Sequence, residues 1–162
     1  MLRRTTSGLI FVWLFLMTSI AVGAERQGGS KQEEVEELCP EAQTQLELNA
    51  CASGMYQEED AKLNLVYQEI LKRFKNDRVF IKKLRAAQRA WLKFRDAQFE
   101  AKFPHILDSR GQYNYGAVFP MCNRLYKAEL THERVEELRL WLDGTDEGDV
   151  CSGSLPIKDE DP

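Results

Sequence analysis

The stretch at residues 84–98, LRAAQRAWLKFRDAQ, decides the fold class of this chain. Leu84, Ala87, Trp91 and Phe94 recur at spacings of three and four, which predicts an amphipathic helix with one apolar face. Four polar side chains lie beside that face rather than opposite it: Gln88, Arg89, Arg95 and Asp96. These polar groups are either a functional site or a network that holds the helices in register.

The sequence before this helix is also helical in pattern, and we find no convincing strand alternation. A short helix is predicted to begin at Thr44, because Glu47 three residues later completes a capping box. Ser53 and Gly54 should interrupt it, and a longer helix then follows over 55–75.

Two further helices are predicted, over 79–102 and 121–142, the last ending at Gly144. The connection before the first of them is short, with Asn76 or Asp77 as its cap, so the helices on either side should be antiparallel neighbours. The predicted fold class is therefore all-α: a small antiparallel helical bundle of three main helices plus a short N-terminal helix, stapled by disulfides.

Residues 1–24 have the pattern of a cleaved signal peptide. Arg3 and Arg4 precede an almost unbroken apolar run over 9–20, and small residues up to Ala24 resemble a signal peptidase site. The alternative is an uncleaved N-terminal anchor. The residue directly after the predicted cleavage point is Glu25 rather than a cysteine, so a bacterial lipid anchor is not expected. We predict a bacterial protein that is periplasmic or secreted.

The mature chain should consist of a flexible leader (25–37), a helical domain (38–143) and an acidic tail rich in Gly and Asp (144–162). Cleavage would remove two of the 22 basic side chains, leaving 20 against 26 acidic ones, a net charge of −6. This balance disfavours nucleic acid and anionic lipid as partners, so no membrane association is expected after cleavage. A basic protein partner would be attracted.

Four cysteines lie in the mature chain: Cys39, Cys51, Cys122 and Cys151. An even count in an exported chain indicates two disulfides, with three possible connectivities.

A polar network is predicted between the second and third helices. Asp60 and Asn64 fall on or beside an apolar stripe, and Gln88, Arg89 and Arg95 lie near the apolar face of the next helix. Asp60 is roughly level with position 94 across the antiparallel pair, so Arg95 is its expected partner. If the pair is buried, losing one member should cost about 3–5 kcal/mol. The alternative role for Asp60 is a general acid or base in a cleft.

The loop over 103–120 is a candidate partner-binding segment, because aromatic side chains anchor protein interfaces. Its candidate residues are Phe103, His105, Tyr113, Tyr115 and Phe119. The alternative is that the loop covers the open end of the bundle as a lid on the core.

Catalysis, cofactors and metals are not expected. His105 and His132 lack metal-ligand spacing, and the chain has no nucleophile, phosphate-binding or dinucleotide motif. A hydrolase would need a solvent-open pocket around Asp60.

Several motifs together resemble the LprI-like (also YecT-like) family of small exported bacterial proteins, named for lysozyme inhibition by a founding member. They are CPEAQTQLELNAC, the D and LN of YQEEDAKLNLVYQEI, LRAAQRAWLKFRDAQ and LTHERVEEL, in this order. The resemblance covers about residues 39–142 and rests on Cys39, Cys51, Asp60, Leu63, Asn64, Gln88, Arg89, Trp91, Arg95, Cys122 and Arg134. It implies a small helical domain without a cofactor.

One departure from the family affects the disulfides. Members usually carry a cysteine where this chain has Phe99, and that cysteine would pair with the one matching Cys122. The resemblance therefore leaves Cys151 as the substitute partner of Cys122, and Cys39–Cys51 as the other bond. A continuous helix from 122 to 142 rises about 30 Å, so the substitute bond needs an extended tail or a helix break near Thr131.

The resemblance implies an inhibitor of a lysozyme-type muramidase that acts by steric occlusion, without turnover. Common lysozymes are basic, so an acidic inhibitor would be steered towards them, and the loop over 103–120 would enter the cleft. The alternative is an adaptor or structural module of the cell envelope that binds another exported protein or a cell-wall fragment. The sequence leaves the oligomeric state open.

Overall fold

The computed structural model describes Val35 and residues 37–158. Within these residues lie three long α-helices: α1 (Gln45–Arg73), α2 (Arg78–Lys102) and α3 (Phe119–Asp143). The described residues contain two isolated β-bridges and no β-strand. The predicted all-α class is confirmed. The predicted signal peptide and most of the predicted leader lie outside the described residues.

The helix ends follow the capping residues in the sequence. The Thr44 side chain accepts a hydrogen bond from the Glu47 amide, and Glu47 Oε2 accepts one from the Thr44 amide at 2.8 Å. The Asp77 side chain accepts from the Phe80 amide at 2.9 Å and caps α2. These local bonds satisfy amide groups that a helix N-terminus leaves without partners, which is why the sequence located these ends.

The predicted helix break at Ser53 and Gly54 is absent, because α1 is continuous from Gln45 to Arg73. Ser53 Oγ donates to the Asn49 carbonyl at 2.9 Å, so its hydroxyl has a partner inside the helix. Gly54 is exposed, and an exposed glycine costs a helix only about 1 kcal/mol. The packing of Leu48 and Ala52 on the same helix offsets that cost.

The three helices run up, down and up. The Phe74 and Phe80 rings meet 4.7 Å apart beside the short turn, and Asp60 faces Arg95 farther along, so α1 and α2 are antiparallel. The start of α1 contacts the start of α3 through Asn49 and Met121, and the end of α1 contacts the end of α3 through Arg73 and Leu142, so these two helices are parallel. They form the main packed pair. The backbone of α2 lies farther from α1 and α3, and α2 contacts them mainly through large side chains.

Two apolar clusters hold the bundle. The larger one contains buried Leu63, Val66, Ile70, Leu84, Val135 and Leu138 from all three helices. The smaller one surrounds the predicted Cys39–Cys51 disulfide, which the structure confirms, and contains Val35, Leu48, Ala52 and Met121. Val35, which the sequence placed in the flexible leader, is therefore a buried residue of this second cluster.

The second predicted disulfide is wrong, because Cys122 and Cys151 are free thiols. Helix α3 continues without a break past Thr131, so Cys122 lies near one end of it and the tail begins at the other. The tail is held there by hydrogen bonds from the Thr145 amide to the Pro156 carbonyl at 2.8 Å and from the Lys158 amide to the Thr145 carbonyl at 2.9 Å.

Gly144 makes this return of the tail sterically possible. Its φ is +78°, and a Cβ atom there would lie 2.8 Å from the Lys158 nitrogen and 2.9 Å from the Pro156 oxygen. We expect Gly144→Ala to speed hydrogen exchange of the Thr145 and Lys158 amides at least tenfold, because the clash of the added methyl with the backbone of 156–158 adds to the strain of about 1–3 kcal/mol that the positive φ imposes and opens the bridge. Gly148→Ala is the matched control: its φ is +90°, but no atom lies within 4 Å of the added methyl. Equal effects of the two substitutions would contradict this account.

Candidate partner-binding site

The polar network of the bundle is centred on Arg134, a buried residue of α3. Its Nε donates to Gln88 Oε1 at 3.1 Å, and its Nη1 donates to Glu137 at 2.6 Å. The guanidinium lies 5.9 Å from the Trp91 ring centroid, and the Arg95 guanidinium lies 5.4 Å from the same ring. Two arginines thus flank Trp91, an arrangement that joins α2 to α3.

Asp60 lies at the edge of this network rather than inside it. Its side chain is 43% exposed, and its Oδ1 is 4.0 Å from Arg95 Nη1, so the predicted pair is present but partly solvated. Arg95 donates at closer range to Asp96, at 3.1 Å. The Asn64 side-chain Nδ2 donates to Asp60 Oδ2 at 3.2 Å. The expected cost of 3–5 kcal/mol assumed burial and is too large for a pair that water screens.

Two other predicted members of the network have different surroundings. Gln88 binds Arg134 and makes no hydrogen bond to Asp60. Arg89 is exposed on another side of α2 and contributes to a groove lined by basic residues. Arg134 is one of the residues that carry the family resemblance, but the sequence did not place it in the polar network. Its spacing of four residues from Leu138, which puts both side chains on one side of the helix, is the sequence signal that could have found it.

An aromatic cluster fixes the loop between α2 and α3. Phe103 contacts Phe119 at 5.3 Å and Tyr115 at 5.4 Å between ring centroids, and Tyr113 lies 5.0 Å from Phe119. Phe119 is buried, while Phe103 and Tyr115 are half-buried. These three residues cover the end of the bundle, as the lid interpretation predicted.

Phe99 anchors this cluster at the position where the resemblance led us to expect a cysteine. It is buried, and its ring lies 5.4 Å from Phe103. The Lys127 ammonium lies 4.4 Å from the Phe99 ring, and burial lowers the pKa of Lys127. Aromatic packing thus joins α2, the loop and α3.

The tip of the loop is a short hairpin. The Asp108 amide donates to the Gln112 carbonyl at 2.8 Å, the Asn114 amide donates to the Ile106 carbonyl at 3.0 Å, and Gly111 closes a turn onto the Asp108 carbonyl. The Asp108 carboxylate accepts from the Gln112 and Arg110 amides, and hydrogen bonds from Gln112 and then Arg110 lower its pKa. An aspartate with a glycine three residues later is typical of a type I turn. The sequence prediction considered only the aromatic residues of the loop and did not include this turn.

The tip presents its side chains to solvent. Leu107 is 55% exposed and Tyr113 is 50% exposed, and Arg110 is exposed between them. His105 is also exposed, and its amide donates to the Tyr115 hydroxyl at 3.4 Å. The predicted loop residues therefore divide into a packed base and an accessible tip. Leu107 and Arg110 are the accessible residues that the sequence did not single out.

A second concave surface lies between α1 and α3. Its apolar floor includes Met55, Leu125 and Ala128, and its rim carries Glu58, Glu59, Glu129 and His132. Burial of Glu59 opposes ionisation, but hydrogen bonds from Lys62 and His132 outweigh it and lower the pKa of this carboxyl. In the part of the chain that the structure describes, no group of three His, Cys, Asp or Glu residues is arranged to hold a metal ion.

These features define a small disulfide-bonded helical domain whose accessible ordered element is a loop tip. The profile of the family described as Lysozyme inhibitor LprI matches residues 39–138, so this chain belongs to that family. The membership supports an inhibitor-like rather than an enzymatic role, and it suggests a protein partner.

A relative from Rhizobium meliloti (strain 1021), described as Uncharacterized protein R02472, is 34% identical over 113 residues. The match covers 62% of this chain and 76% of the relative. No solved structure matches this chain. Among the described helices, none is both long enough and apolar enough to cross a membrane.

Proposed function

We propose that this protein is an exported, non-enzymatic inhibitor of lysozyme-type muramidases that acts by steric occlusion. The observation that carries the proposal is the ordered hairpin tip in a member of the LprI family. The tip would enter the substrate cleft of the enzyme and exclude the cell-wall glycan. Neither partner would be consumed or chemically changed.

The order of the tip supports this role energetically. Backbone hydrogen bonds and the Asp108 carboxylate hold the hairpin in the free protein, so less conformational entropy is lost when it binds. The ring of Tyr113 rests against buried Phe119, which gives it a rigid support. A supported tyrosine is the kind of residue that contributes most of the binding energy at protein interfaces, and exposed Leu107 adds apolar area beside it.

Charge would contribute mainly to association. The predicted mature chain carries a net charge of −6, so a basic lysozyme would be attracted over a distance of about one Debye length, roughly 10 Å at 0.1 M salt. Inhibition of a basic enzyme should therefore weaken as salt rises, and inhibition of an acidic lysozyme should be weaker at every salt concentration.

Alanine substitutions at the loop tip should weaken inhibition strongly. We expect Leu107→Ala and Tyr113→Ala each to raise the inhibition constant about tenfold or more, because buried interface anchors are each worth about 2 kcal/mol. The assay is lysis of cell walls by lysozyme in the presence of oxidised residues 25–162, which include every residue that the structure describes. Tyr113→Phe should behave nearly as the unmodified protein.

Leu65→Ala is the matched control for the leucine. Leu65 is 66% exposed on α1, outside the loop, and its substitution should leave the inhibition constant unchanged. If Leu65→Ala weakens inhibition as much as Leu107→Ala, or if neither tip substitution changes it, the loop tip is not the contact.

A further inference from the structure

The first 18 residues of the 25-residue helix α2 carry basic side chains and no acidic ones. Residues 78–95 contain seven basic side chains and no acidic one. Arg78, Lys82, Arg85 and Arg89 recur at spacings of four and three, so they lie on one side of the helix. Together with Lys75 they line one shallow groove, and all five are exposed. We call these five residues the basic stripe.

The cations of the basic stripe have no carboxylate partner among the described residues. Within the described residues, none of the five forms an ion pair, whereas Arg134, Arg95, Lys62 and Lys158 each lie beside an acidic side chain. Like charges one helical turn apart repel each other, so the stripe slightly destabilises the free helix. An anionic surface bound from outside would remove that repulsion.

The outward side of α2 also exposes apolar side chains next to the stripe. Val79 is 71% exposed. Ala86 and Ala90 are exposed on the same side of the helix, and the groove that the stripe lines is shallow. A soluble polyanion would contact only the cations. A row of cations beside exposed apolar groups on one helix matches the amphipathic surfaces that lie on anionic bilayers.

We propose that the outward face of α2 docks onto a membrane rich in anionic phospholipid, with the basic stripe against the headgroups and Val79 at the interface. The negative net charge does not prevent this. At physiological ionic strength, charges farther than about 8 Å are largely screened, so the local cations dominate the field at the contact. The loop tip lies beyond the opposite end of α2 and would stay accessible, so this proposal does not depend on the inhibitor role.

The test is cosedimentation of residues 25–162 with phosphatidylglycerol-containing vesicles and with pure phosphatidylcholine vesicles. We expect binding to the anionic vesicles only. Lys82→Gln/Arg85→Gln should reduce the partition coefficient about tenfold or more, because each cation near an anionic membrane surface contributes to the free energy of binding. The control, Arg139→Gln/Lys158→Gln, removes the same charge from α3 and the tail and should retain binding.

Three results would overturn the proposal: equal sedimentation with both kinds of vesicle, no sedimentation with either, or equal losses in the stripe and control variants. Inorganic polyphosphate serves as the competing probe. Binding to polyphosphate without binding to anionic vesicles would assign the stripe to a soluble polyanion and would also overturn the membrane proposal. Circular dichroism of both variants would verify that each remains folded.

Discussion

Loss of the Cys39–Cys51 disulfide is expected to lower the free energy of unfolding by about 3 kcal/mol. The bond joins residues 12 apart in sequence, and closing a loop of that size restricts the unfolded chain by about this amount in the chain-entropy account. In the folded state, the bond holds the segment before α1 against Leu48 and Ala52. Urea denaturation of Cys39→Ser/Cys51→Ser would measure the loss.

The matched control is Cys122→Ser/Cys151→Ser, which removes two thiols that are not bonded to each other. We expect this change to cost less than about 1 kcal/mol, because Cys151 is exposed and Cys122 is only half-buried. A loss near 3 kcal/mol in the control would show that Cys122 and Cys151 form a disulfide in solution, against the structure described here.

Arg134→Ala is expected to be the most damaging single change in the polar network, at about 2–4 kcal/mol. It removes hydrogen bonds of a charged group to Gln88 and Glu137, and it removes the guanidinium from the face of Trp91. Arg134→Met, which restores the apolar stem without the charge, should recover part of the loss. Thermal and urea unfolding of both variants would measure it.

Asp60→Ala provides the contrast, because Asp60 is the residue that the sequence placed at the centre of the network. Its side chain is partly solvated and 4.0 Å from Arg95, so its removal should cost no more than about 1 kcal/mol. If Asp60→Ala proved more destabilising than Arg134→Ala, the ranking drawn from the structure would be wrong.

Local features of the fold could be predicted from the sequence, and features that depend on packing between helices could not. Thr44, Asp77 and Gly144 mark helix ends through bonds and backbone angles within a few residues. The helix break predicted at Gly54 is absent, because tertiary packing stabilises α1 at a residue that would weaken an isolated helix. The Arg134–Gln88 bond spans 46 residues, and periodicity cannot say which helix a polar side chain faces.

The candidate site shows the same division. The aromatic residues of the loop could be identified in the sequence. Only the structure distinguishes Phe119, which is buried in the core, from Tyr113, whose side chain is half exposed. The hairpin of 106–114 depends on hydrogen bonds closed by Gly111 and Asp108, and these make Leu107 and Arg110 accessible. The basic stripe was not predicted, because the prediction used the net charge of the whole chain, which does not show how charges are distributed on one helix.

The measurement that tests the central claim most directly is a titration of a basic lysozyme with the oxidised chain over residues 25–162, followed by the rate of cell-wall lysis. We predict a fall in lysis that reaches completion near equal concentrations of the two proteins, reverses on dilution and weakens with added salt. Undiminished lysis at micromolar excess of the intact, disulfide-bonded protein would contradict the inhibitor role for that enzyme.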